Sequence, residues 1–133
     1  MLIEKDIIKI LGQLAGNEQI HVAFDGSDIL IRFLEDASKL SLSTIVYSGG
    51  NYIPTSVRNC LSHKSTSFDH EIKTFLSINE ELFKVSLNYL GQSDRLSHLQ
   101  LKELLEEFGL IAEKWRNHLD ENDRNDLVYV HVK

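Results

Sequence analysis

Six histidines (positions 21, 63, 70, 98, 118 and 131) and one cysteine, Cys60, are the residues of this chain best suited to metal or nucleophilic chemistry. Their spacing argues against both. No two histidines have the HxxxH or HExxH spacing that sets paired imidazoles on one helix face, and Cys60 has no CxxC neighbour. His63 and His70, with Asp69 and Glu71 beside them, are the densest group of ligand types. A metal needs three or four converging ligands, and a solvated polar loop explains these residues more simply. Cys60 falls on the apolar side of a helical pattern and reads as a small buried hydrophobe, with nothing nearby that would favour its thiolate. Gly26-Ser27 lacks the GxSxG frame of a nucleophile elbow, and YSGGN lacks both the Lys-Ser/Thr of a P-loop and the third glycine of a dinucleotide fingerprint. The sequence therefore predicts no catalytic residue, no metal and no cofactor.

The charge distribution narrows the possible partners. Net charge is −6, and residues 100–126 hold eight acids (Glu103, Glu106, Glu107, Glu113, Asp120, Glu121, Asp123, Asp126) against four bases (Lys102, Lys114, Arg116, Arg124). Direct binding to a phosphate backbone draws on clustered Lys and Arg, which this chain does not offer. The acids read first as a solvated helix face and second as an acidic docking surface for protein. A charged fraction of 26% beside 42% apolar residues suits a folded soluble chain. No apolar run approaches the roughly 20 residues a membrane span needs. MLIEKDIIKILGQLAGN carries charges inside its apolar pattern, as an amphipathic helix does and a signal peptide does not. With a lone cysteine, a cytoplasmic location is expected.

The elements that must position any functional group follow from periodicity. Ile3, Ile7, Ile10, Leu11 and Leu14 share one helical stripe, which predicts a helix over 2–15 closed by Gly16-Asn17. IHVAFDGSDILIRFLED, residues 20–36, contains two alternating runs around Asp25-Gly26-Ser27-Asp28 and predicts a hairpin. LSLSTIVYS (40–48) predicts a third strand ended by Gly49-Gly50-Asn51. Pro54 opens a short helix with Ile53, Val57, Cys60 and Leu61 at helical spacing. FLSINEELFKVSLNYL predicts a second hairpin turning near Asn79-Glu80, with Phe83, Val85, Leu87 and Tyr89 on one face and Lys84, Ser86 and Asn88 on the other. Ser97 and Gln100 make a capping-box pattern for a long helix over about 94–119, whose apolar side carries Leu101, Leu104, Leu105, Phe108, Ile111, Ala112, Trp115 and Leu119. Gly109 within it suggests a close backbone contact. The order is α-β-β-β-α-β-β-α, an α+β fold of one antiparallel sheet and three helices. A single domain is expected over 1–120, followed by a polar tail, 121–133, whose strand-like end LVYVHVK would pair on an open sheet edge or await a partner.

This plan resembles the type III secretion chaperones of the class that serves individual secreted proteins. The likeness spans nearly the whole chain and rests on the N-terminal amphipathic helix, the hairpins HVAFDGSDILIRF and FLSINEELFKVSL, and the acidic helix LKELLEEFGLIAEKW. In detail it is similar to the chlamydial members that act with a second chaperone on the secreted gatekeeper protein of the apparatus. The resemblance implies a heterodimer with a second small chaperone that wraps an extended N-terminal segment of a secreted client, without ATP. It also implies a second role in transcription regulation, through contact with RNA polymerase and its major sigma factor. LVYVHVK has no place in the family plan.

Under this reading the chain supplies a surface. Its apolar strands and helix stripes would cover the client by burial and strand addition, with Ile3, Ile7, Ile29, Ile31 and Phe33 expected to face it. The short helix, through Ile53, Val57 and Leu61, is the expected dimer interface. Glu106, Glu107, Glu113 and Trp115 of the long helix are the expected polymerase contacts, since tryptophan is enriched at interface hot spots. The alternatives are a stand-alone protein-binding transcription regulator and a small enzyme of unrecognised type.

Overall fold

The computed structural model describes residues 9–10, 12, 19–24, 26–34, 39–62, 72–92 and 97–132. Five strands and two helices lie among them: β1 (Gln19–Phe24), β2 (Ser27–Leu34), β3 (Lys39–Ser48), α1 (Thr55–Ser62), β4 (Thr74–Asn79), β5 (Lys84–Gln92) and α2 (His98–Val132). The strands form one antiparallel sheet in the order β1-β2-β3-β5-β4. The α+β class and the strand order along the chain agree with the periodicity. Of the expected N-terminal helix, Lys9, Ile10 and Gly12 are helical and the remainder lies outside the described residues, so two helices stand where three were expected.

Local chemistry accounts for the turns. Register pairs Phe24 with Ser27, closing the first hairpin at Gly26, whose φ of 79° is one that glycine adopts without steric cost. In the second hairpin the Asn79 side chain accepts hydrogen bonds from the backbone N–H of Glu81 (3.0 Å) and Leu82 (3.1 Å), which holds the turn in place of a backbone ladder. Phe83 leaves that turn with φ 56°, and its carbonyl accepts a 2.7 Å bond from Gly49 N–H. The loop after β3 is thereby tied to the β4–β5 turn. A Cβ at Gly49 would collide with the Tyr52 carbonyl oxygen, so glycine is needed for this close approach. A register shift between Ile45 and Tyr47 bulges β3 and buries the adjacent pair Val46 and Tyr47.

The core lies between one sheet face and the two helices. Ile29 and Ile31 of β2, Leu40, Leu42 and Val46 of β3, and Val85 and Leu87 of β5 all point to that face, as period-2 alternation dictates. α2 lies over β3 and β2 and packs against α1. All eight residues predicted for its apolar side are buried, with Phe108 fully enclosed. Gly109, also buried, sits on this packed side. α1 contributes Val57, and Ile53 just before it is buried as well.

The capping box is realised at the start of α2. Gln100 N–H donates to Ser97 Oγ (3.1 Å), and Ser97 N–H donates to Gln100 Oε1 (3.0 Å). The helix therefore begins at His98, four residues later than the apolar pattern alone suggests. Ser97→Ala is expected to lower stability by about 1 kcal/mol, read as a lower urea midpoint at unchanged slope.

The far end of α2 extends into the segment expected as a tail. The helix continues through Val132 instead of ending near Leu119, and Leu127–Val132 is helical here, not extended. Adding a residue to an existing helix avoids the nucleation cost, whereas a strand needs a paired neighbour. Near its middle α2 is tied to the first hairpin, where Arg116 Nη1 donates to Ser27 Oγ (2.6 Å) and to the Gly26 carbonyl (3.4 Å).

Candidate functional site

Among the described residues, those with catalytic potential do not assemble into a centre. Among the described residues no three His, Cys, Asp or Glu side chains are grouped to hold a metal. His63, Asp69, His70 and Glu71 lie outside the described residues, as does the Cys60 side chain. Ser27 is buried and accepts the Arg116 bond, which makes it a structural hydroxyl of the hairpin. Gly49-Gly50 forms the loop bonded to Phe83. No helix among the described residues is long and apolar enough to cross a membrane.

What the fold presents is the sheet face turned away from α2. Cross-strand register builds it in rows: His21, Leu30, Ser43, Asn88 and Phe75 follow one another from β1 to β4, and beside this row Ala23 pairs with Asp28 and Ile45, Ser86 and Ser77 follow one another from β3 to β4. Large apolar groups remain open to solvent there, with Ile45 at 45%, Phe75 at 55% and Leu90 at 50% exposure, and Leu30 is half-buried on β2. Small polar side chains separate these groups. Ser43, Ser77, Ser86 and Asn88 line an open groove of about 600 Å³ that runs to Asn79, Glu80 and Glu81 at the turn. Asn88 Nδ2 donates to Ser77 Oγ (2.9 Å) across it, fixing the floor. An apolar, mixed-polarity surface of this kind suits burial of an extended polypeptide rather than bond making.

The predicted site residues fall on different layers. Ile29 and Ile31 are fully buried and Phe33 is half-buried against the core, so the two isoleucines are core residues and not client contacts. The alternation holds in β2, but its apolar parity is taken by the core beneath the helices. Ile3 and Ile7 lie outside the described residues. Ile53 and Val57 are likewise buried within this one chain, which corrects their assignment to a dimer interface; the Leu61 side chain lies outside the description. Around α1 the exposed residues are Tyr52, Thr55, Arg58 and Asn59, and Leu82 stands exposed on the neighbouring turn. Arg58 pairs with Glu80 at 2.9 Å and so links α1 to that turn. Trp115 is 7% exposed and meets the His118 ring edge-on at 5.9 Å, so it is a packing residue and not an open hot spot. Glu113 is exposed, Glu107 half-buried, and Glu106 half-buried beside Lys102 at 3.8 Å.

Sequence reasoning missed Leu30, Ile45, Phe75 and Leu90. Their signal was parity: each sits out of phase with the residues its strand turns toward the core while remaining apolar.

Comparison with solved structures decides the fold. The chain matches a chain of the ExsC–ExsE complex with a TM-score of 0.64 at 18% identity, covering 90% of this chain and 97% of that one. It matches the heterodimeric ExoU–SpcU complex from the type III secretion system of Pseudomonas aeruginosa (TM-score 0.57, 10% identity, 77% of this chain and 84% of that one). It also matches the HopA1–SchA chaperone–effector complex (TM-score 0.53, 12% identity, 85% and 92%). The fold is that of the type III secretion chaperones. No protein-family model and no curated protein sequence matches the chain. The chaperone fold here is the five-stranded antiparallel sheet with its long C-terminal helix, and each of the three neighbours is a complex between proteins.

Proposed function

We propose that the chain is a cytoplasmic type III secretion chaperone that holds an extended segment of a secreted protein on the open sheet face. The observation that carries this is the combination of Leu30, Ile45, Phe75 and Leu90 exposed or half-exposed on one face of a sheet whose opposite face packs on the core. Burial of such groups at about 25 cal/mol per Å² supplies affinity without chemistry or ATP. The client is a secreted protein of the gatekeeper type, and Ile3 and Ile7, which lie outside the described residues, are proposed as further client contacts. Pairing with a second small chaperone uses the exposed residues around α1, with Tyr52 and Leu82 as the apolar anchors beside the Arg58–Glu80 pair.

A role in transcription by contact with RNA polymerase or its sigma factor falls on the outward side of α2. Leu99 and Leu110 are exposed there, three turns apart, interleaved with the exposed Glu103 and Glu113. An apolar-acidic stripe fits a basic protein surface.

The two surfaces separate by substitution. Phe75→Asp with Leu90→Asp is expected to abolish retention of the secreted client in a pull-down while leaving the urea midpoint close to that of the parent, because both side chains are half exposed. Unchanged client retention by this double variant would place the client elsewhere.

A further inference from the structure

Two features of the chain are left unused by this reading. The first is an unprotected sheet edge. β1 pairs only with β2 among the described residues, and its sequence QIHVAF has no Lys, Glu, Asp, Arg or Pro to discourage a further strand. Its core-side residues Ile20 and Val22 pack on the core yet stay only partly buried at this edge. The second is the distal third of α2. In the sequence the apolar stripe of α2 ends at Leu119; the positions that would continue it are Asn122, Asp123 and Asp126, and no apolar residue occurs between Leu119 and Leu127. Beyond this polar stretch comes LVYVHV, in which the three β-branched valines Val128, Val130 and Val132 alternate with Leu127, Tyr129 and His131. Valine and tyrosine are among the weaker helix formers and the stronger strand formers.

We propose that Leu127–Val132 is the sixth strand of this sheet, added antiparallel to β1, and that its helical form is the undocked state. The geometry meets three requirements. The Arg116 bonds to Ser27 and Gly26 fix α2 beside the β1–β2 turn, so the chain leaves the core at the Phe24 end of β1. From there a returning segment runs opposite to β1, which is the antiparallel direction. The place beside β1 is three strand spacings, about 15 Å, from β3, the strand that α2 covers, and the seven residues Asp120–Asp126 span up to about 25 Å when extended. Finally, six residues meet six, Leu127 opposite Phe24 and Val132 opposite Gln19, which sets Tyr129 beside Val22 on the core side and Val130 beside His21 on the open face. The docked strand covers Ile20 and Val22 and closes this edge to any other extended segment.

The test uses the full chain carrying Cys60→Ser, with His21→Cys and Val130→Cys facing each other in the proposed register. On mild oxidation a monomeric, internally cross-linked product is expected. Failure to cross-link, or cross-linking only between two chains, overturns the proposal. Amide exchange on the chain without cysteine changes gives an independent reading. Tyr129→Pro is expected to speed exchange of the outward-pointing β1 amides at least tenfold and leave β3 and β5 unchanged, and equal β1 exchange in parent and variant also overturns it.

Discussion

Phe108→Ala is expected to destabilise the protein by about 3–5 kcal/mol, the largest effect of any single truncation in α2. Phe108 has no solvent exposure and sits at the middle of the stripe that α2 turns toward β3 and β2. Its removal takes away the apolar transfer energy of a ring and leaves a cavity between a helix and a sheet, two elements that cannot close the gap without breaking the register of their neighbours. Against a total stability of the usual 5–15 kcal/mol this is a large share. Urea unfolding followed by circular dichroism measures it, with a lower midpoint at unchanged slope as the expected form. A loss under 1 kcal/mol would mean that α2 does not cover the sheet as described.

Ile31→Ala carries the second large effect, about 2–5 kcal/mol, and it separates core from client surface. Ile31 pairs across the sheet with Ile20 on one side and Leu42 on the other, and is fully buried. Its truncation costs stability and leaves client affinity of the folded fraction intact. Leu90→Asp, paired with Ser41 on the opposite face and half exposed, has the reverse signature: little change in stability and weakened client binding. If Ile31→Ala keeps full stability and loses the client, the two faces have been assigned the wrong way round.

Much of the architecture was legible in the sequence because it is written in local periods. Alternation in DILIRF and FKVSLNY marked β2 and β5, Ser97 and Gln100 marked the start of α2, and the spacing from Leu101 to Leu119 marked its packed side. Which face of a strand meets a helix and which meets a partner is not a local property. Ile29 and Ile31 were read as client contacts because their apolar parity is visible, whereas only the position of α2 shows that this parity is consumed by the core. Trp115 failed for the same reason. The open-face groups Ile45, Phe75 and Leu90 come from three strands, and β3 becomes the neighbour of β5 only through the crossover that contains α1 and β4. The tail illustrates a different conflict: LVYVHV has strand composition, and the backbone there is helical because a preformed helix precedes it.

The central claim is that this chain acts by covering a secreted protein with its open sheet face. Its most direct test is quantitative recovery of proteins bound to the tagged full chain in its native cells, by mass spectrometry, with the parent chain beside the Phe75→Asp, Leu90→Asp variant. The account predicts that the parent brings down a secreted protein and a second small chaperone, that the secreted protein stays bound at high salt as an apolar contact does, and that the folded variant loses it. Recovery of the same secreted protein by both chains, or of no secreted protein by the parent, would contradict it.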